Sequence, residues 1–66
     1  MIMIGAKDLK ADMVIKPKDQ TSYVIKSSTF IQRQPNGDIF VSLELDCGRY
    51  STTMEIPAMA LVELVV

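Results

Sequence analysis

Few residues in this sequence have the types and spacing that catalysis or metal binding requires. The chain contains no histidine and a single cysteine, Cys47, so it cannot supply a histidine general base or a Cys/His zinc site. Its acidic residues form no closely spaced Asp-x-Asp-x-Asp-Gly loop for calcium. Its three glycines match neither glycine-rich pattern that holds nucleotide phosphates. We therefore expect no metal, no cofactor and no bound nucleotide.

Two local groupings contain residue types that can perform acid–base or nucleophilic chemistry. Glu44 and Asp46 lie two residues apart, so on a strand they share one face, and paired carboxylates can divide acid and base roles when burial separates their pKa values. Lys26 next to Ser27 and Ser28 has the composition of a serine–lysine dyad, which needs a desolvated lysine and an oxyanion hole. A chain of 66 residues offers little depth for either site. We therefore predict solvated surfaces at both places and a protein that is not an enzyme.

The residues best suited to bind a partner are one aromatic and two cations. Phe40 stands among the polar positions of an alternating strand, so its ring is expected on the water-facing side. Lys26 lies on the preceding strand and Arg33 near the connecting turn, and neighbours on one sheet face lie about 5 Å apart. Aromatic and arginine side chains also dominate interface hot spots. The sequence therefore predicts a partner-binding surface formed by Phe40, Arg33 and Lys26.

Such a surface suits either of two classes of partner. Together with Met54 or Val65, an exposed Phe40 would form an apolar patch for another protein or for a second copy of the chain. Between residues 14 and 37, four basic residues stand against the single acidic Asp19, and a basic patch beside an aromatic ring can bind RNA or DNA. A net charge of −1 argues against a protein built mainly to neutralise phosphates. We predict a protein partner or a homo-oligomer, with a nucleic-acid partner as the alternative.

Alternating hydrophobicity predicts that these residues lie on β-strands. In residues 39–47 the odd positions are apolar and the even ones polar except Phe40, which is typical of a strand with one buried face. Residues 21–31 are rich in β-branched and aromatic types and precede a Pro-Asn-Gly turn in which Gly37 is expected to have a positive φ. The two segments therefore form a hairpin. Its predicted core residues are Val41, Leu43 and Leu45.

Shorter segments predict the rest of an all-β domain that spans residues 1–66. Residues 13–16 form a strand closed by Pro17, whose missing N–H predicts a sheet edge, and residues 18–20 form the turn that follows. Gly48 marks a tight turn before a strand at 50–56. Residues 57–61 interrupt the alternation for one 3₁₀-like turn, and residues 62–66 resume it. Four or five short strands joined by tight turns predict a closed or nearly closed small barrel.

Two segments of the chain resemble SH3-like barrels. Residues 8–15 have the sequence Asp-Leu-Lys-Ala-Asp-Met-Val-Ile. They resemble the first segment of that fold, whose pattern is leucine, a basic residue, x, glycine, x, x and a hydrophobic residue. Residues 55–64 are similar to its close, where a hydrophobic-proline step leads through a 3₁₀ turn into the last strand. The resemblance implies an SH3-like five-stranded barrel. Peptide-binding SH3 domains use an aromatic groove for polyproline helices, and this chain has no tryptophan, so polyproline recognition is not implied.

The central hairpin is also similar to a hairpin of a translation factor. Residues 23–45 resemble part of the N-terminal barrel of translation elongation factor P and its eukaryotic counterpart, in which the hairpin tip carries a modified lysine. Here the tip at 32–38 contains Arg33 and no lysine, so the ribosomal chemistry is not implied. This resemblance supplies the alternative of an RNA- or DNA-binding barrel. A barrel of this size is also similar to small accessory proteins of phages and mobile elements.

Composition and segment lengths favour a cytoplasmic protein. Hydrophobic residues make up 48% of the chain and charged residues 23%, as in folded domains. The apolar start at residues 1–4 is too short for a signal peptide, and the longest apolar runs fall short of the ~20 residues that span a bilayer. A single cysteine cannot form an internal disulfide. We therefore expect a cytoplasmic protein that does not contact a membrane.

Overall fold

The computed structural model describes residues 2–17 and 21–65, which form a single antiparallel sheet. Its six strands are β1 (Ile2–Gly5), β2 (Val14–Lys16), β3 (Tyr23–Arg33), β4 (Asp38–Asp46), β5 (Ser51–Pro57) and β6 (Leu61–Leu64). One 3₁₀ turn, Ala6–Asp8, follows β1. The predicted all-β class is confirmed. Within the described ranges, no helix has the length and apolar character that crossing a bilayer would require.

The strands lie side by side in the order β1-β6-β2-β3-β4-β5. The last three of these form a meander, and β6 lies between β1 and β2. The sheet has six strands and is not closed into a barrel, which corrects the prediction of a closed or nearly closed barrel of four or five strands. The sixth strand arises because the apolar start of the chain pairs with β6. At one corner the loop after β5 approaches this start, where Ala6 N–H donates to the Ala60 carbonyl at 2.8 Å. No strand ladder between described residues joins the two edges of the sheet.

Three local predictions need correction or fall outside the described residues. The predicted 3₁₀ turn before the last strand is a single hydrogen-bonded turn, in which Ala60 N–H donates to the Pro57 carbonyl at 2.9 Å. β2 is not at an edge but lies between β6 and β3, because Pro17 follows the strand and removes no donor from it. The predicted turn at residues 18–20 is not among the described residues.

The core lies on one face of the sheet. Val41, Leu43 and Leu45 are fully buried, which confirms the alternation predicted for β4. Ile39 shares their face but is 51% exposed, because it lies near the hairpin tip, beyond the packed part of the sheet. The other buried residues come from β2, β3, β6 and the segment after β1: Ala6, Leu9, Ile15, Tyr23, Ile25 and Val62.

Three described residues have the left-handed backbone conformation that favours glycine. Gly37 has φ 77° and Gly48 has φ 94°, so both predicted glycine turns are confirmed. Asp12 has φ 75°, and it stands where the SH3-like entry pattern has glycine. Aspartate tolerates this conformation better than most side chains. The turn before β2 therefore has the conformation that a glycine would supply.

Candidate functional site

Phe40 lies on the face of the sheet opposite the core, as predicted. Directly across from it are Ile31 on β3 and Pro57 on β5. Ile31 and Phe40 are half-buried and Pro57 is exposed. These three residues, which we call the Phe40 row, form an apolar line across the meander near the hairpin tip. Neighbours at such a spacing interact directly, so the row forms a continuous surface.

Arg33 covers part of the Phe40 ring. Its Cζ lies 5.4 Å from the ring centroid, within the range of a cation–π contact. The same guanidinium pairs with the carboxylate of Glu55 on β5, so the side chain spans β4 from β3 to β5. The ring is therefore half-buried, although it lies on the predicted water-facing side of β4. The structure brings Arg33 and Phe40 together as predicted.

Lys26 lies apart from this surface. The register of β3 against β4 shifts between Ile25, opposite Leu45, and Ser27, opposite Glu44, which makes Lys26 the extra residue of a β-bulge. The residue opposite Phe40 is Ile31, five positions farther along β3, or roughly 17 Å at ~3.3 Å per residue. Of the three predicted site residues, the structure groups only Arg33 and Phe40.

The apolar neighbours of Phe40 also differ from those predicted. Met54 lies opposite Leu43 and packs against the core, so it is on the other face. Val65 follows β6 and donates its N–H to the Val14 carbonyl at 2.9 Å, on the far side of the sheet. The row instead contains Ile31 and Pro57, which sequence reasoning missed. Two adjacent apolar residues in a strand, such as Phe30-Ile31, place apolar groups on both faces and could have indicated Ile31.

An open groove lies beside the Phe40 row at the hairpin end of the sheet. It has a volume of 460 Å³ and is lined by residues 37–40 and 57–59. Ala58 N–H donates to the Ile39 carbonyl at 3.0 Å, which holds the segment after β5 against β4. Met59, on the wall of the groove, is 82% exposed. The groove can accept an apolar side chain, and Arg33 can hydrogen-bond to polar groups beside it.

The groupings considered for catalysis form polar contacts at the surface. Ser27 Oγ donates to the exposed Glu44 carboxylate at 2.9 Å, and Gly48 N–H donates to Asp46 Oδ1 at 2.9 Å. Asp46 thereby stabilises the turn before β5. Across residues 2–17 and 21–65, no three Cys, Asp or Glu side chains come close enough together to hold a metal ion.

Cys47 is half-buried and directly follows β4. Its thiol donates to the Tyr50 carbonyl at 3.7 Å. The pKa of the thiol is lowered, chiefly because the backbone N–H of Arg49 stabilises the thiolate, and burial and the nearby Asp46 charge oppose this only in part. With no histidine in the chain, no imidazole lies beside it as a base.

Comparison with known proteins does not assign this chain to a family. The resemblances to SH3-like barrels and to translation elongation factor P therefore stand only on the residues that suggested them. Comparison with protein-family models, with curated protein sequences and with solved structures gave no match.

Proposed function

We propose that this protein is a small, non-enzymatic, cytoplasmic interaction module that binds another protein or a second copy of itself. The surface for another protein is the Phe40 row together with Arg33. The observation that carries the proposal is the Arg33–Phe40 contact beside an apolar groove. Aromatic and arginine side chains are the residues whose truncation most often weakens protein interfaces.

The charge at this surface favours a protein over a nucleic acid. Arg33 is paired with Glu55, so its positive charge is offset before any partner binds. Phosphate backbones bind chiefly to uncompensated cations. Protein interfaces combine an apolar centre with a polar rim, and the Phe40 row with the Arg33–Glu55 pair has that arrangement.

An SH3-like fold is part of the same proposal. The strands β2, β3, β4 and β5 are sequential neighbours in the sheet, and β6 returns beside β2, in keeping with the resemblance. The positive φ of Asp12 at the glycine position of the entry pattern also supports it. In this proposal β1 is an addition to that arrangement, and the function rests on the meander.

Affinity capture with surface variants tests the proposal. The tagged full chain and its Phe40→Ala, Arg33→Ala, Lys26→Ala and Thr29→Ala variants serve as bait in lysate of the native host, and the captured protein is then purified and titrated. Thr29 is the matched control, because it is exposed on the same face, opposite Ser42. Phe40→Ala should abolish binding, Arg33→Ala should weaken it less, and the other two should bind like the parent.

Salt separates this function from the nucleic-acid alternative. A protein contact through the Phe40 row should change little between about 50 and 200 mM salt, whereas phosphate binding falls steeply over that range. Loss of binding in Arg33→Ala and Lys26→Ala, an unaffected Phe40→Ala variant and a steep salt dependence would together establish the nucleic-acid alternative. Circular dichroism of each variant should match that of the parent, which checks that the fold is intact.

A further inference from the structure

The outer edge of β5 presents backbone groups with no partner among the described residues. β5 is the last strand in the sheet order and pairs only with β4 there. Ala58 N–H points to β4, where it meets the Ile39 carbonyl. Backbone N–H groups alternate sides along an antiparallel strand, so those of Met54 and Ile56 also point to β4 and those of Thr53 and Glu55 point away. Pro57 falls on the outward side as well, where its missing N–H costs the β4 ladder nothing.

This edge lacks the features that usually prevent strand addition. Edge strands are commonly short, bulged, or protected by lysines and inward charges. β5 has seven residues in unbroken register with β4, and it contains no lysine. Its one charged residue is Glu55, whose side chain pairs with Arg33 of the same chain. Pro57 removes a single donor at the end of the strand, so the rest of the edge can pair.

We propose that β5 pairs antiparallel with β5 of a second copy, about a two-fold axis at Met54. This deepens the proposed function, on which it rests, by naming one partner and its surface. In this register all seven residues are paired, with Met54 facing Met54 of the second copy and Ser51 facing Pro57 of the second copy. The two residues of each facing pair are an even number of positions apart in the chain, so their side chains lie on the same face of β5. The core faces of the two copies therefore lie on the same side of one continuous sheet.

The residues of β5 favour a second copy in this register. Thr53 faces Glu55 of the second copy and Thr52 faces Ile56 of the second copy, so no like charges oppose each other. Moving the axis to Glu55 would set two carboxylates opposite each other, which is destabilising. Moving it to Thr53 would leave Ile56 and Pro57 without strand partners, because β5 begins at Ser51. The self-paired strand is therefore complementary to itself in one register.

The expected association is weak. A seven-residue strand pair covers less than the ~800 Å² per partner of a standard stable interface, so we expect a dimer that dissociates on dilution. Sedimentation velocity of the full chain from about 5 to 500 μM should then show a reversible monomer–dimer equilibrium.

Opposite charges at Thr53 test the register. The side chain is exposed, its backbone N–H is not used by β4, and Glu44 lies opposite it in the same chain. Thr53→Lys should therefore keep the fold, and Thr53→Glu should keep it with slightly lower stability, which a thermal melt of each variant checks. Thr53→Glu places a carboxylate opposite Glu55 of the second copy and should weaken the dimer by about 3–10-fold, whereas Thr53→Lys should strengthen it by a similar factor. Thr29→Ala, on the outer face of β3, is the control and should dimerise like the parent.

Other outcomes would overturn either this inference or the Phe40 surface of the proposed function. A chain that stays monomeric at the highest concentration, or equal effects of the two Thr53 variants, would contradict this pairing. Species that grow beyond a dimer would indicate head-to-tail pairing of β5 with the opposite edge β1. A monomeric chain that still binds a protein through Phe40 would remove this inference and leave the proposed function standing. A dimer sensitive to Thr53, with protein capture insensitive to Phe40→Ala, would keep this inference and remove the Phe40 row as the surface for another protein.

Discussion

Arg33 connects three strands of the sheet through one side chain. Arg33 belongs to β3, and its guanidinium lies over Phe40 of β4 and pairs with Glu55 of β5. Both charged groups are about half exposed, so solvent screens the pair and it adds little to stability. Its main consequence is orientation, because the Phe40 ring and the Glu55 carboxylate together hold the guanidinium in one place. A planar group held in this way loses little freedom when a partner binds.

Gly37 is required at the hairpin tip for its backbone conformation. An added Cβ would meet only the flexible Gln32 side chain, at 3.4 Å, so crowding is mild, but φ 77° strains any β-branched residue. We expect Gly37→Val to lower the free energy of unfolding by about 1–3 kcal/mol in urea titrations. Gly5→Ala is the control, because Gly5 has φ −66° and its Cβ would have ordinary contacts. Equal midpoints for the two variants would contradict this assignment.

Asp12 offers the converse test, since a side chain occupies a position suited to glycine. Its φ of 75° is costly for residues with a Cβ, though less so for aspartate. We expect Asp12→Gly to raise the unfolding free energy by up to about 1 kcal/mol, because relief of strain outweighs the extra freedom of glycine in the unfolded chain. Asp12→Val should lower it by about 1–2 kcal/mol. Thermal melts in which Asp12→Val is the more stable variant would rule out this explanation.

The alkylation rate of Cys47 should depend on pH differently in the folded and the unfolded chain. Because the Arg49 backbone N–H stabilises the thiolate, the pKa of the thiol lies below its ordinary value of 9.0 in the folded protein. The rate of iodoacetamide alkylation should therefore reach its midpoint at lower pH in the native chain than in urea. The contribution of this thiol to the free energy of unfolding rises as the pH increases from the lowered pKa to the ordinary one. It is lost as the pH falls through the lowered pKa. Coincident midpoints would contradict the prediction.

At the scale of elements, β4 determines both the core and the candidate site. Leu43 is fully buried whereas the adjacent Glu44 is exposed and accepts one surface hydrogen bond from Ser27. Leu43→Ala should cost about 2–5 kcal/mol, through lost apolar burial and the cavity left behind. Glu44→Ala should cost less than about 1 kcal/mol. Denaturant titrations in which Glu44→Ala were the more damaging change would mean that the two faces of the strand are reversed.

The same strand shows which parts of the site could be predicted from sequence. Strict alternation separates a buried from a wet face, so the placement of Val41, Leu43 and Phe40 followed from local pattern alone. The position of Lys26 did not, because a bulge in β3 is defined by its register against β4, and register depends on residues far apart in the chain. The register shift at the bulge does not affect the Arg33–Phe40 contact, because both residues lie beyond the bulge, close to the turn that joins their strands.

At the scale of the whole molecule, local pattern predicted the class of fold but not its closure. Short alternating segments and glycine turns are sufficient to indicate an all-β chain. Whether the outer strands meet depends on twist and on pairing between distant segments. The strand at Ile2–Gly5 pairs with Leu61–Leu64, nearly the full length of the described chain away, and neither segment indicates its partner by itself.

The position of β6 between β1 and β2 has a consequence for the time course of folding. Both N-terminal strands hydrogen-bond to the strand that follows every other one in the chain. The meander can form from neighbouring segments as they emerge during synthesis. In the described part of the chain β1 pairs only with β6, the last of the six strands to emerge. Pairing between such distant segments must first close a long loop, and the chain entropy is lost before any stabilising contact forms. Such pairing therefore slows folding. Insertion of β6 is therefore the step that completes the sheet.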